Sequence, residues 1–178
     1  WALDGKAMTW TSDKNGYRSH GSWGAHDDVY IMFFDGKAMT DMLRSKEEAE
    51  IAKLMMSDKE VKAEKKEEKK DSLAKEKNNV PKLVLDLAHR DDRIKRLTPF
   101  SNSIGDHFLS PDGTKLYFTQ RLERGNDLCV RDLREGNVTV LAKGVSGNFI
   151  PSKDGTKLYA TFARVLTCIT LASGKTET

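Results

Sequence analysis

The chain has 178 residues, 38% hydrophobic and 8% aromatic, enough for one packed domain or for a slice of a larger one. Thirty basic against 27 acidic residues leave a net charge of +3, too little to point to nucleic acid. No run of 18 apolar residues exists to span a membrane, and two cysteines, Cys129 and Cys168, do not make a disulfide framework.

In chain order, Trp1-Ala-Leu-Asp-Gly-Lys-Ala-Met-Thr-Trp10 opens inside a motif, an Asp-Gly pair leading into an alternating run. A start of that kind, without Met, reads as a fragment, so a missing targeting signal carries no meaning. Asn15 to Asp28 forms a glycine-containing loop before an apolar strand, Val29 to Phe34. Long loops of this kind carry function more often than strands do. Four of its residues are candidates for contact with a peptide or partner: Arg18, His20, Trp23 and His26. Arg18 offers a planar fork for a carboxylate and Trp23 a face for stacking, unless Trp23 only staples the loop to its sheet. His20 and His26 with Asp27 or Asp28 are zinc-ligand types, but the spacing fits no closed site, and no metal or other cofactor is expected.

After Phe34 the pattern breaks. Ser45 and Glu48 form a capping box, and Ile51, Leu54 and Met55 follow at helical spacing, predicting a short amphipathic helix over about 46–56. From Ser57 to Asn79 the residues are mostly Lys and Glu, with like charges recurring at i,i+4, as in Glu60/Glu64 and Lys62/Lys66. Such pairs repel, so this arm reads as a solvated, frayed helix or a disordered loop. A partner-docking arm or lid is the functional alternative. Leu83 to Leu87 reads as a strand, competing with Val29 to Phe34 for one place in the first unit. His89-Arg-Asp-Asp-Arg93 contains His-Arg-Asp, but no downstream Asn or Gly-rich loop supports a kinase, and it reads as a polar turn.

The remainder repeats. Ser110-Pro-Asp-Gly-Thr-Lys-Leu-Tyr117 returns as Ser152-Lys-Asp-Gly-Thr-Lys-Leu-Tyr159, 42 residues later. Asp-Gly pairs supply the positive φ angles of primed hairpin turns. Strands flank them: one ending at Ser110, then Leu116 to Thr119, Leu128 to Leu133 and Val138 to Leu141, with a polar loop from Arg121 to Asn126. A second set follows: Val145 to Ser152, Thr156 to Ala163, Val165 to Leu171, and Lys175 onward. His107 precedes Phe108 as a packing residue. Cys129 and Cys168 fall at matching places, as two free thiols. A period near 40 to 45 with short strands marks a propeller blade. The fold class is therefore all-β, a partial β-propeller of four-stranded antiparallel blades with a short helical, highly charged insertion. The first blade covers about 1–98 with its insertion at about 41–79, the second about 103–142, and the third, truncated, about 145–178.

Ser110 to Thr119 with Asp127-Leu-Cys-Val-Arg-Asp-Leu133 resembles the propeller repeat of the TolB and tricorn-protease type. Trp10 to Gly16, Ser22 to Gly24, Asp28 to Phe34, and Lys82 to Leu87 with Asp92 to Thr98 resemble the propeller of tricorn-like S41 serine peptidases. That resemblance implies a non-catalytic module that gates or orients peptide substrates. Its partners would be peptide or protein, plus the remaining blades and catalytic domains of a parent serine peptidase. The alternative it leaves open is a TolB-like scaffold for protein partners with no peptidase attached. No Gly-x-Ser-x-Gly elbow singles out a nucleophile. A periplasmic location follows from the resemblance, with cytoplasmic as the alternative. Three blades would leave faces bare, so the chain is expected to dimerise, swap strands or keep neighbouring blades.

Overall fold

A computed structural model describes residues 1–18, 24–55, 88–99, 102–122, 125–162 and 164–177. Strands β1 (Ala7–Ser12), β2 (Asp28–Phe33) and β3 (Ile94–Arg96) form a first antiparallel sheet. Strands β4 (Ile104–Leu109), β5 (Lys115–Leu122), β6 (Gly125–Asp132) and β7 (Val138–Ala142) form a second, and β8 (Val145–Pro151), β9 (Lys157–Phe162), β10 (Val165–Thr170) and β11 (Thr176–Glu177) a third. In each sheet the spatial order is the chain order. At the two ends of the stretch expected as a polar loop, Arg121 to Asn126, the described residues are paired strand instead, with Arg121 opposite Asn126 and Leu122 opposite Gly125. Tight pairing there satisfies backbone groups that a loop would leave to solvent.

Alternation along the strands gives the second sheet two apolar faces. Leu109, Leu116, Phe118 and Cys129 pack against Ala7, Val29, Ile31 and Phe33 of the first sheet. Tyr117, Leu128 and Ala142 pack against Val145, Leu158, Ala160 and Ile169 of the third. Full burial of side chains such as Phe118 and Leu128 contributes about 1.5–3 kcal/mol each. Antiparallel meanders, with three described strands in the first sheet rather than the expected four and four in each of the others, stacked face to face in chain order, are the blades of a partial β-propeller.

The turns recur as one hydrogen-bonded unit. Gly5 N donates to Ala2 O, Gly113 N to Ser110 O and Gly155 N to Ser152 O. Phe34 N, Leu133 N and Leu171 N then return to Lys6 O, Thr114 O and Thr156 O. In the second and third turns the Asp is the acceptor that closes the loop. Asp112 Oδ1 accepts from Ser110 Oγ (2.6 Å) and Thr114 N (3.1 Å), and its Oδ2 accepts from Thr114 Oγ1 (2.8 Å). Asp154 takes Ser152 Oγ, Thr156 N and Thr156 Oγ1 in the same way. The expected primed geometry is absent from these two turns, where only the glycines, Gly113 (φ 71°) and Gly155 (φ 67°), are left-handed. Pro111, which prefers a type I or II turn, explains this for the second. The primed form appears in the first turn alone, where Leu3 (φ 52°) and Asp4 (φ 53°) are both left-handed.

The insertion begins earlier than the sequence indicated. Helix α1 (Gly36–Leu43) is capped by Asp35, whose side chain accepts from Lys37 N at 2.9 Å, and it buries Met42. It lies inside a segment with no expected element, although Asp35 followed by Ala38, Met39 and Met42 is a helix signal. Its first residues, Asp35 to Thr40, repeat Asp4 to Thr9 letter for letter, yet the earlier copy is a turn and strand. A second helix, α2, covers 46–55 and carries the predicted capping box. Ser45 N donates to Glu48 Oε2 (3.0 Å) and Glu48 N to Ser45 Oγ (3.2 Å). Its stripe of Ile51, Leu54 and Met55 is exposed, while Ala49 is buried. The charged arm 57–79 and the strand expected at 83–87 lie outside the described residues.

Candidate functional site

Antiparallel order puts the Asp-Gly turns and both helices at one end of the strands. The β1–β2 loop and the crossovers between sheets lie at the other. The two arms of that loop are zipped together: Arg18 and Ala25 form a bridge, and His26 N donates to Tyr17 O at 2.9 Å. Gly16 permits this closeness, since a Cβ there would stand 1.7 Å from the His26 carbonyl oxygen. The Tyr17 and His26 rings meet edge to face at 5.8 Å, and Tyr17 is exposed.

Arg18 holds Asp13 with two prongs, Nη2 to Oδ1 and Nε to Oδ2, both at 2.7 Å. Its guanidinium is therefore already fixed in the geometry that a carboxylate demands. The structure brings Arg18 and His26 to one end of the loop, whereas His20 and Trp23 lie outside the described residues. Sequence reasoning missed Asp13 and Tyr17, although an acid five residues before Arg18 was a visible signal.

The root of the loop is anchored by Asp28, which has no solvent exposure. Arg96 Nε and Nη2 donate to its Oδ2 at 2.8 and 2.5 Å, and Thr98 Oγ1 donates to its Oδ1 at 3.1 Å. Thr98 in turn accepts from Val29 N at 2.7 Å. Asp127 stands at the matching place of the second sheet and accepts from Gly144 N at 3.0 Å. Each aspartate thus ties the start of one strand to the chain leaving the sheet. In the third sheet Val165 takes this place. Asp28 is accordingly a latch, with its carboxylate committed to Arg96 and Thr98. Nothing local in the sequence joins residues about 70 positions apart.

Other candidates have ordinary roles. His89 to Arg93 is a polar 3-10 turn. Burial holds the His107 imidazole below its usual value, against the upward pull of Asp106. Burial also pushes the Cys129 thiol up to about 11, with Asp127 adding to the shift, which leaves it a poor nucleophile. At the opposite end, a cavity of about 410 Å³ is lined by Arg44, Lys95, Arg96, Arg131 and Arg134 with Glu48. Among the described residues no three His, Cys, Asp or Glu side chains gather to hold a metal. No described helix is long and apolar enough to cross a membrane.

Fold and site together define a propeller segment with an elaborated loop at one end. No family model and no curated protein matches the chain. Among solved structures, TolB from Acinetobacter baumannii is similar over 99% of this chain and 30% of its own, at 16% identity and a TM-score of 0.50. The tricorn protease is similar over 49% of this chain and 8% of its own, at 13% identity and a TM-score of 0.38. A putative 6-phosphogluconolactonase from Bacteroides fragilis is similar over 47% of this chain and 26% of its own, at 24% identity and a TM-score of 0.32. The chain spans under a third of each of these proteins. The likeness to TolB shows the fold alone: this is a TolB-like partial propeller.

Proposed function

We propose that the chain is a non-catalytic propeller scaffold for protein or peptide partners, with the β1–β2 loop as contact surface. The carrying observation is the TolB-like fold over 99% of the chain. The loop supports it physically. Tyr17 presents an exposed ring, and Arg18 offers a fork that a partner carboxylate can take over from Asp13 without rearrangement. A second reading makes the chain the substrate-orienting module of a tricorn-like serine peptidase. It is favoured by the sequence resemblance of Trp10 to Phe34, and a periplasmic location belongs to both readings.

The test places a photo-crosslinking residue at Tyr17 in the native host and identifies what it captures. A scaffold yields a defined protein partner, whose affinity for the chain falls about tenfold in Arg18→Ala, as loss of a charge-assisted pair would give. Unchanged affinity in Arg18→Ala would sink this assignment of the loop. Under the peptidase reading the same substitution in the parent enzyme raises KM for peptides and leaves kcat alone.

A further inference from the structure

Between the first and second sheets, at the end that carries the Asp-Gly turns, a charge stands where packing did not require one. Arg131 of β6 lies opposite Leu116, and in the third sheet Ile169 lies opposite Leu158. Leu116 and Leu158 occupy the same place after their turn glycines, Gly113 and Gly155, so Arg131 and Ile169 are counterparts. One gap between sheets is thus filled by a fully buried isoleucine and the other by a guanidinium. Burial holds the Arg131 guanidinium below its ordinary value, a cost that an isoleucine does not carry. Its Nη1 donates to the Leu97 carbonyl at 2.6 Å, which sets the head beside the last strand of the first sheet.

Arg131 lines the cavity of about 410 Å³, and four more cations join it there from three elements. Arg44 ends α1, Lys95 and Arg96 belong to β3, and Arg134 stands in the turn after β6. Two of them are set in place by carboxylates: Arg44 pairs with Asp41 at 2.7 Å and Arg96 with Asp28 at 2.5 Å. Among the described residues, Lys95 and Arg134 have no carboxylate partner. Glu48 is the one acid among the described lining residues, and its carboxylate already accepts from Ser45 N at 3.0 Å. Five cations around one recess focus a positive potential inside it, and its volume falls within the roughly 300–1,000 Å³ of small-molecule sites.

We propose that this cavity binds a small phosphorylated molecule, its phosphate seated among Lys95, Arg131 and Arg134. The cations converge from the end of α1, from the first sheet and from the second. A phosphate presents oxygens in several directions and can meet them together, whereas a carboxylate has two oxygens in one plane. Arginine forks match phosphate with paired hydrogen bonds, and an anion in the recess offsets the burial of the Arg131 charge. The bound ligand would tie the helical insertion to both sheets, at the end opposite the β1–β2 loop.

Isothermal titration of the intact protein with pyrophosphate and with citrate tests this, at about 0.15 M salt to screen diffuse surface attraction. One pyrophosphate is expected to bind per chain, at least about tenfold more tightly than citrate. Arg131→Ile, which copies the third sheet, should stay folded by circular dichroism and weaken pyrophosphate binding about tenfold or more, as should Arg134→Gln. Lys157→Gln removes the same charge from an exposed site on the third sheet and should leave the affinity unchanged. No binding at millimolar pyrophosphate overturns the proposal. So does an equal loss in Lys157→Gln and Arg134→Gln, which would make net charge the cause, or citrate binding as tightly as pyrophosphate. Should Arg131→Ile fail to fold, Lys95→Gln takes its place.

Discussion

Asp-Gly-Lys-Ala-Met-Thr occurs twice, at 4–9 and at 35–40, and takes two structures. In the first copy Asp4 and Gly5 are left-handed, Phe34 N bonds to Lys6 O, and Ala7 begins β1 with no solvent exposure. In the second copy Asp35 is extended and caps a helix in which Thr40 Oγ1 donates to Gly36 O at 3.0 Å. The residues after each copy differ. Trp10-Thr-Ser12 favours a strand, while Asp41-Met-Leu-Arg44 favours a helix and closes it with an Asp41–Arg44 pair at 2.7 Å. Six residues of intrinsic preference are outweighed by the flanks and by the face each copy buries.

The largest expected contrast comes from the shared alanine. Ala7→Leu overpacks a closed core and should cost about 1–3 kcal/mol in urea unfolding. Ala38→Leu borders a cavity of about 340 Å³ and should be neutral or stabilise by about 0.5 kcal/mol. Equal costs would show that the copies are packed alike. The shared glycine should split by sign. Gly5→Ala at φ 82° should cost about 1–2 kcal/mol. At Gly36, where an added Cβ meets nothing within 4 Å, Gly36→Ala should stabilise by about 0.5 kcal/mol in the same measurement.

The smallest contrast concerns acid. The first turn has Ala2 and Lys6 where the other two have Ser and Thr donors. Hydrogen bonds from Ser152 and Thr156 hold the Asp154 carboxyl at about 2. Burial works to raise Asp112, but the bonds from Ser110 and Thr114 outweigh it and hold it low. Unfolded, both carboxyls take up protons near pH 3.8, before the folded ones do. Their contribution is therefore complete above about pH 4 and lost as pH falls toward 2. Ser152→Ala should shrink the drop in Tm between pH 4 and 2, and an unaltered drop would assign it to other groups.

The turns were legible because Ser, Asp, Gly and Thr settle their hydrogen bonds within six residues. The capping box of α2 was legible for the same reason. Helix α1 was missed because its opening residues also spell a turn. The Asp28 latch was invisible because Arg96 and Thr98 arrive from across the insertion. The loop candidates came from residue type alone, which named Arg18 and His26 but gave no sign that Asp13 and Tyr17 already hold them.

The two cysteines also escaped the sequence, which placed them at equivalent positions. In register Cys129 opposes Phe118, while Cys168 opposes Tyr159, one residue out of step, so they point to opposite faces. Cys129 lies in the gap between the first and second sheets, and Cys168 on the far side of the third. At about 10 Å per layer they are out of disulfide reach. An oxidising compartment therefore leaves no mark between Cys129 and Cys168, and any disulfide formed through Cys168 records what touched that side of the third sheet.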